Sequence, residues 1–510
     1  MRSHITSTFL GPCCLITTVK SDGVVCHNGM ADGTESAVGS SDATIDLSVF
    51  ADYFGFAEHG TDLKTEVLAG VTTFVTMSYM VVVIPALMVG TSGKPGITVP
   101  GYPPGAVQQM LAVATIFTAA VAIFVMAFYA NRPFAQGPGL GLATFFAFTV
   151  VGSIGVPWPT ALAAVFVEGI LFMVLTITGA RSLIVNVLPS PVKHAIGTGI
   201  GLFLAVIGLS EMEVIVPDPG TIVALGEIAT NPVALLSVAG LFLTLMLYVR
   251  GTTGSIILGI AVTGGIGYLA TFLGVVPEGV LAPQSLPSAQ YNIAPLLGTF
   301  LDGFADVDGL TFSLIVFTFF FVDFFDATGA ITGAAQAGDM LDEDGNFPDI
   351  DEALMADAVG TTLAGILGTS AVTTYLESAI GVDEGGRTGM TAMVVGVLFL
   401  MTLAFVPLAA AIPVYASHLA LVVISLLMLR NVAEIDWDNL THAIPAGFTI
   451  LVMPLTYSIA YGIAAGIIAY PLMKTAVGEF DDINVGQWLL AGAFVVYFFV
   501  RTGGVIQGSM

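Results

Sequence analysis

Long apolar runs limit what this chain can become. From Glu66 onward, stretches of about 20 residues with almost no charge recur, separated by Gly, Pro or acidic turns. Each matches one helical crossing of a bilayer, and a chain with many of them is an all-α polytopic membrane protein. A membrane β-barrel would show short alternating segments instead, and these are missing. Composition agrees: 10% of the 510 residues are charged, against roughly 25% in soluble domains.

Breaks at Gly, Pro and charge place crossings near 66–90, 104–130, 134–152, 158–179, 191–209, 231–249 and 253–275. A second set falls near 310–337, 352–369, 370–384, 388–411, 413–430, 443–472 and 486–502. Pro445 and Pro454 make 443–472 a candidate for a broken segment. With the N-terminus inside, fourteen crossings put Lys64, Arg132, Arg181, Lys193, Arg250, Arg387, Arg430 and Arg501 on the cytoplasmic side and only Lys94 and Lys474 outside. That asymmetry is the one that orients membrane helices, and it places both termini in the cytoplasm of a cell-membrane protein.

Seven crossings per half is an odd number, so the halves are inverted with respect to each other. In each half the third crossing is short and interrupted. "RPFAQGPGLGLATFFAFTV" (132–150) carries Pro133, Pro138 and three glycines, and "GILGTSAVTTYLESAIGV" (365–382) is rich in Thr and Ser and contains Glu377. Interrupted segments at matching places in two halves point to a transporter's binding site. Irregular backbone at that depth must line a cavity, because lipid cannot satisfy it.

"FVDFFDATGAITGAA" (321–335) sets Asp323 and Asp326 inside an otherwise apolar run. One aspartate at the centre of a membrane helix costs about 2.5–3.5 kcal/mol on the insertion scale. Spaced i, i+3, the two share a helix face. No Lys or Arg occurs between Arg250 and Arg387, so a buried ion pair with a base is hard to build. Protonation, a bound cation, hydrogen bonds from Ser, Thr and amides, or a ligand offering N–H groups are what remain. Glu168 reads as a protonated helix-packing residue, with a further coupling carboxylate as the alternative. Glu66 falls in the first turn of its helix, where the dipole favours it. His59, His194, His418 and His442 fall at crossing ends and read as interfacial.

The net charge is −25, from 37 acids against 12 Lys and Arg. This excess argues against nucleic acid as a partner and fits a salt-loving source, where ions screen carboxylate repulsion. The run 339–357 reads as a solvated acidic loop, and it lacks the spacing of an EF-hand. Residues 1–49 read as a disordered tail. Within it, 1–29 hold all three cysteines (Cys13, Cys14, Cys26) and read as an upstream extension before Met30. No disulfide or metal is expected in the fold. An intramembrane aspartyl protease needs its two aspartates on facing helices with a GxGD motif, which is absent, so no enzyme activity is expected.

Five stretches, "HGTDLKTEVLAGVTTFVTMSYMVVVIPALM" (59–88), "NRPFAQGPGLGLATFFAFTVVG" (131–152), "FVDFFDATGAITGAA", "ADAVGTTLAGILGTSAVTTYLESAIGVDEGGRTGMTA" (356–392) and "AIPAGFTILVMPLTYSIAYGIAAG" (443–466), resemble one group. It is the hypoxanthine/adenine/guanine permease branch of the nucleobase transporter superfamily. The resemblance runs from about Phe50 to the C-terminus. It implies two inverted seven-segment repeats, 50–275 and 310–502, with core portions 66–179 and 310–411 and gate portions 191–275 and 413–502. The third and tenth segments would each be a short strand plus a half-helix. Asp323 and Glu377 would bind the base, and Asp326 would serve transport through the coupling ion.

Members are usually proton-coupled purine importers. The implied partners are a purine nucleobase and the lipid bilayer, with a proton or sodium as coupling ion, no cofactor, and a homodimer left open. Thr374 and Ser378, which flank Glu377, join the candidate contacts. One departure stands out: where the family has Asn in "PGMGLNAFFAF", this chain has Ala143, followed by Thr144. That leaves xanthine, uracil or another solute of the same fold as the alternative.

Overall fold

The computed structural model describes residues 48–91, 93–179, 187–283, 288–305, 309–343 and 346–502. The tail 1–47, with its three cysteines, and Arg181 lie outside the described residues. The expected crossings appear as helices whose ends are set by recognisable residues. Asp62 caps α1 (Leu63–Met88), accepting the Thr65 amide at 3.0 Å. That amide bond holds the Asp62 carboxyl below the usual carboxylate range. A turn at Ser78 and Tyr79 interrupts α1 midway. α2 (Pro104–Ala130) starts on a proline, where no helical N–H bond is lost, and ends at Asn131 in the left-handed region.

The third crossing is β1 (Gln136–Pro138) followed by α3 (Leu140–Ser153). Next come α4 (Trp158–Thr178) and α5 (Ser190–Glu211), then a hairpin of β2 (Ile215–Asp218) and β3 (Ile222–Leu225). α6 (Pro232–Val249) and α7 (Ser255–Phe272) close the first half. The second half opens with α8 (Gly309–Ala337) and α9 (Ile350–Leu367), followed by β4 (Val372–Thr374) and α10 (Ser378–Asp383). It continues with α11 (Gly389–Ala411) and α12 (Val414–Glu434).

Two packed groups result. α1, α2, α9 and α11 pack together, with α4 and α8 against α9. α5 packs on α12 and on α13 (Leu440–Thr456), which pairs with α14 (Ile459–Ala476). Glu66 ties α1 to α11. It is fully buried and accepts the Arg387 amide at 2.9 Å, the Thr391 amide at 3.1 Å and the Thr391 hydroxyl at 2.7 Å. Its charge therefore answers the N-terminal amides of a second helix as well as its own.

The break expected within 443–472 is present. The stretch 443–472 is a hairpin of two helices, α13 and α14, broken where Tyr457 turns left-handed and Ser458 caps α14. The pair runs antiparallel: Gly462 abuts Met453 while Gly466 abuts Thr449. A side chain at either glycine would collide with α13, so these glycines permit the close approach. The last helix, α15 (Val485–Thr502), returns antiparallel to α14, with Tyr497 and Phe498 beside Tyr461. His418, expected at an interface, is fully buried at the start of α12, with Nδ1 against the Val414 carbonyl.

Candidate substrate site

The two interrupted crossings meet. β1 and β4 pair antiparallel, with Gln136 opposite Thr374, Gly137 opposite Thr373 and Pro138 opposite Val372. Two strands in a bilayer leave edges that lipid cannot serve, so their amides and carbonyls need protein partners. The Gly139 amide reaches the Ala371 carbonyl at 3.0 Å and the Tyr375 amide the Ala135 carbonyl at 3.0 Å. The Val372 amide donates to the Thr361 hydroxyl and the Ala135 amide to the Ser378 hydroxyl, each at 2.9 Å. Tyr375 donates its hydroxyl to the Pro138 carbonyl at 2.7 Å. Gly137 faces Met80 of α1 so closely that a Cβ would fall 2.5 Å from its sulfur.

Around this strand pair, four elements supply five carboxylates. Asp323 and Asp326 come from α8, and Glu377 stands at the N-cap of α10. α8 packs directly on β4 and α10, so the expected residues share one place. Asp323 is fully buried; the Thr361 hydroxyl donates to its Oδ2 at 3.2 Å, while Oδ1 has no protein partner. Glu377 accepts the Tyr79 hydroxyl at 2.7 Å. Asp326 is half-buried and faces Glu377 and Thr373.

The other two carboxylates were not expected here. Asp357 of α9, read from sequence as part of a solvated acidic loop, is fully buried. It accepts Gln136 Nε2 at 2.9 Å and the Thr374 hydroxyl at 3.1 Å, bridging α9 to both strands. Glu168 of α4 is also fully buried and lies beside Asp323. Among the described residues, no Lys or Arg bonds to any of the five; the ion pairs are peripheral, such as Arg132 with Asp349 and Lys474 with Glu479.

The remaining candidates are committed to the scaffold. Thr374 holds Asp357, and Ser378 holds the Ala135 backbone. Thr144 donates to the Leu140 carbonyl of its own helix, and Ala143 is buried beside it. Phe145 packs edge-on against Phe319 at 4.8 Å between ring centres. Tyr79, Gln136 and Thr361 were missed because uncharged residues carry no large burial cost to flag them. Asp357 carried a signal: it stands four residues before Thr361, on one helix face. An Asp357→Asn variant is expected to lose about 1–3 kcal/mol, since Gln136 and Thr374 use both carboxyl oxygens and Asn keeps only one acceptor. Thermal unfolding in detergent would read this as a lowered midpoint; an unchanged midpoint would remove the bridge from the account.

Helices packed around two paired, interrupted half-segments are the architecture of a secondary transporter. The chain belongs to the Permease family, whose sequence profile matches residues 64–465; this is the nucleobase–ascorbate transporter family. It is 43% identical to a putative permease of Methanocaldococcus jannaschii over 454 residues, covering 88% of this chain and 98% of that one. It is 36% identical to the adenine permease AdeP of Escherichia coli, over 87% of this chain and 94% of that one. It is 35% identical to the guanine/hypoxanthine permease PbuG of Bacillus subtilis, over 88% and 98%.

Among solved structures, the transmembrane domain of a cyanobacterium bicarbonate transporter, BicA, aligns with a TM-score of 0.52 at 15% identity, covering 80% of this chain and 97% of that one. The murine Solute Carrier 26 family member A9 anion transporter aligns with a TM-score of 0.53 at 12% identity, covering 87% and 74%. These two likenesses establish the fold, one built on inverted repeats.

Proposed function

We propose that the protein imports a purine nucleobase (adenine, guanine or hypoxanthine) across the cell membrane by proton symport and alternating access. The observation that carries this reading is the five-carboxylate cluster around the paired strands, to which no Lys or Arg bonds among the described residues. Carboxylates accept the ring and exocyclic N–H groups of a purine in charge-assisted bonds. A cation travelling with the base offsets the burial of charge while the loaded carrier reorients. The names of the adenine and guanine/hypoxanthine relatives support the same substrate class.

In this reading α1–α4 with α8–α11 form the core that holds the base, and α5–α7 with α12–α15 form the gate. The N-terminus lies in the cytoplasm. The C-terminus lies there too, which a membrane-impermeant label at either end would check. The acidic composition supports a high-salt source.

The test is uptake of labelled adenine, guanine, hypoxanthine, xanthine and uracil into vesicles carrying the protein, with a proton or a sodium gradient imposed. Purine accumulation that collapses with a protonophore is the expected result. Uptake of none of the purines would overturn the substrate, and accumulation driven only by sodium would overturn the proton.

A further inference from the structure

Glu168 is a buried acid for which the proposed cycle has no task. Among the described residues no hydroxyl, amide or base donates to either of its carboxyl oxygens or to Asp323 Oδ1, and the Glu168 and Asp323 carboxyls lie within hydrogen-bonding reach of each other. The packing pins Glu168 in that position. The next residue, Gly169, lies so close to α9 that a Cβ would fall 2.5 Å from the Thr362 amide nitrogen. One turn on, Phe172 packs edge-on against Phe320 and Phe324 of α8.

The groups facing Glu168 are all acidic: Asp323 from α8 and Asp357 from α9, with Asp326 and then Glu377 beyond Asp323. Asp351 and Glu352 of α9, and Asp302 in the turn Thr299–Phe304 that packs on α4, are exposed away from it. Two ionised carboxylates side by side in a medium of low dielectric repel strongly, and such pairs settle with one proton between them. A carboxylic acid beside a carboxylate turns two acceptors into a donor and an acceptor.

We propose that Glu168 and Asp323 share one proton, held on Glu168 and donated as a hydrogen bond to the Asp323 carboxylate. Glu168 is the better holder because Asp323 has the Thr361 hydroxyl within reach at 3.2 Å, its one hydrogen shared with the Val372 carbonyl at 3.1 Å, while no hydroxyl or amide reaches Glu168. Glu168 thus acts as a positioning residue. It steadies the charge on Asp323, so that Asp323 presents an acceptor to the substrate. If the proton crosses, the Glu168 O–H bond breaks as an Asp323 O–H bond forms, and the net charge of the pair stays the same. This inference rests on the reading that Asp323 meets the base.

The full-length protein in lipid vesicles, wild type and Glu168→Gln, decides it by infrared spectroscopy and by purine binding across pH. The wild type is expected to show a protonated-carboxyl stretch that the Gln variant lacks. Wild-type binding is expected to weaken about tenfold on the alkaline side, where the shared proton leaves and two charges face each other. In Glu168→Gln that alkaline fall should flatten, because an amide donates to Asp323 at any pH. Glu168→Leu, which offers no donor, should bind about tenfold more weakly than wild type at neutral pH. An unchanged carboxyl band or an unchanged pH profile in Glu168→Gln overturns the proposal, even if the Leu variant fails to fold. Should the wild type bind no purine at all, the substrate reading fails, while the carboxyl band still tests the shared proton.

Discussion

Asp323→Asn and Glu377→Gln are each expected to cut purine uptake by about a hundredfold or more, with the protein still present in the membrane. Both changes keep the size of the side chain and remove only its charge. Each carboxylate is steadied by one protein hydroxyl, Thr361 for Asp323 and Tyr79 for Glu377, and those hydroxyls can donate to an amide oxygen as well. The scaffold therefore survives. What is lost is a charge-assisted acceptor for the base, worth about 1.5–3 kcal/mol, and the amide can instead turn an N–H toward the substrate's own N–H. The two penalties together reach a hundredfold at about 1.4 kcal/mol per factor of ten. Uptake by vesicles with equal amounts of each variant is the measurement, and wild-type rates in both would remove these residues from the mechanism.

Asp326→Asn is expected to separate binding from accumulation. The residue is on the same face of α8 as Asp323 but is only half-buried, facing Thr373 and Glu377 at the edge of the cluster. A carboxylate with that partial access can exchange its proton with water while its neighbour holds the base. Removing it should leave purine binding within about threefold of wild type, a change of less than about 0.7 kcal/mol. The concentration ratio across the vesicle membrane should fall to equality even with a proton gradient imposed. Proton-driven accumulation that persists in this variant would take the coupling role away from Asp326.

The cluster of buried acids was partly legible in the sequence, and what the sequence showed and hid has a physical cause. Asp323, Asp326 and Glu377 stood out because an acid inside an apolar run carries a large local cost that nothing nearby in the chain offsets. Asp357 was hidden by its neighbours: it follows Asp349, Asp351 and Glu352, which are at or near the solvated start of α9, while Asp357 itself is a turn or two deeper. Reading helical phase from Asp357 to Thr361 would have moved it inside. Tyr79 and Gln136 carry no charge, and only the pairing of α1 with α10 and of β1 with α9 shows their use. The strand-plus-half-helix form of the third and tenth crossings came from resemblance, because three residues are too few for a period to register.

A break within 443–472 was expected from its prolines, but its position at Tyr457 was out of reach. Pro445 and Pro454 marked α13 as irregular, yet both lie inside it, and the chain turns beyond them. The close contact of Gly462 and Gly466 with α13 is what makes a hairpin there stable.

The sequence by itself determined that this chain lives in a bilayer, that it has two halves each with one interrupted crossing, and that its buried acids have no base to pair with. Those are properties of residues and their near neighbours, because the cost of burying a charge is incurred wherever the chain carries it. Which acids meet was decided only by the tertiary structure. Glu168, Asp323, Asp357 and Glu377 lie on separate elements. Their proximity depends on how α4, α8 and α9 pack and on two strands, more than two hundred residues apart, exchanging backbone hydrogen bonds inside the membrane.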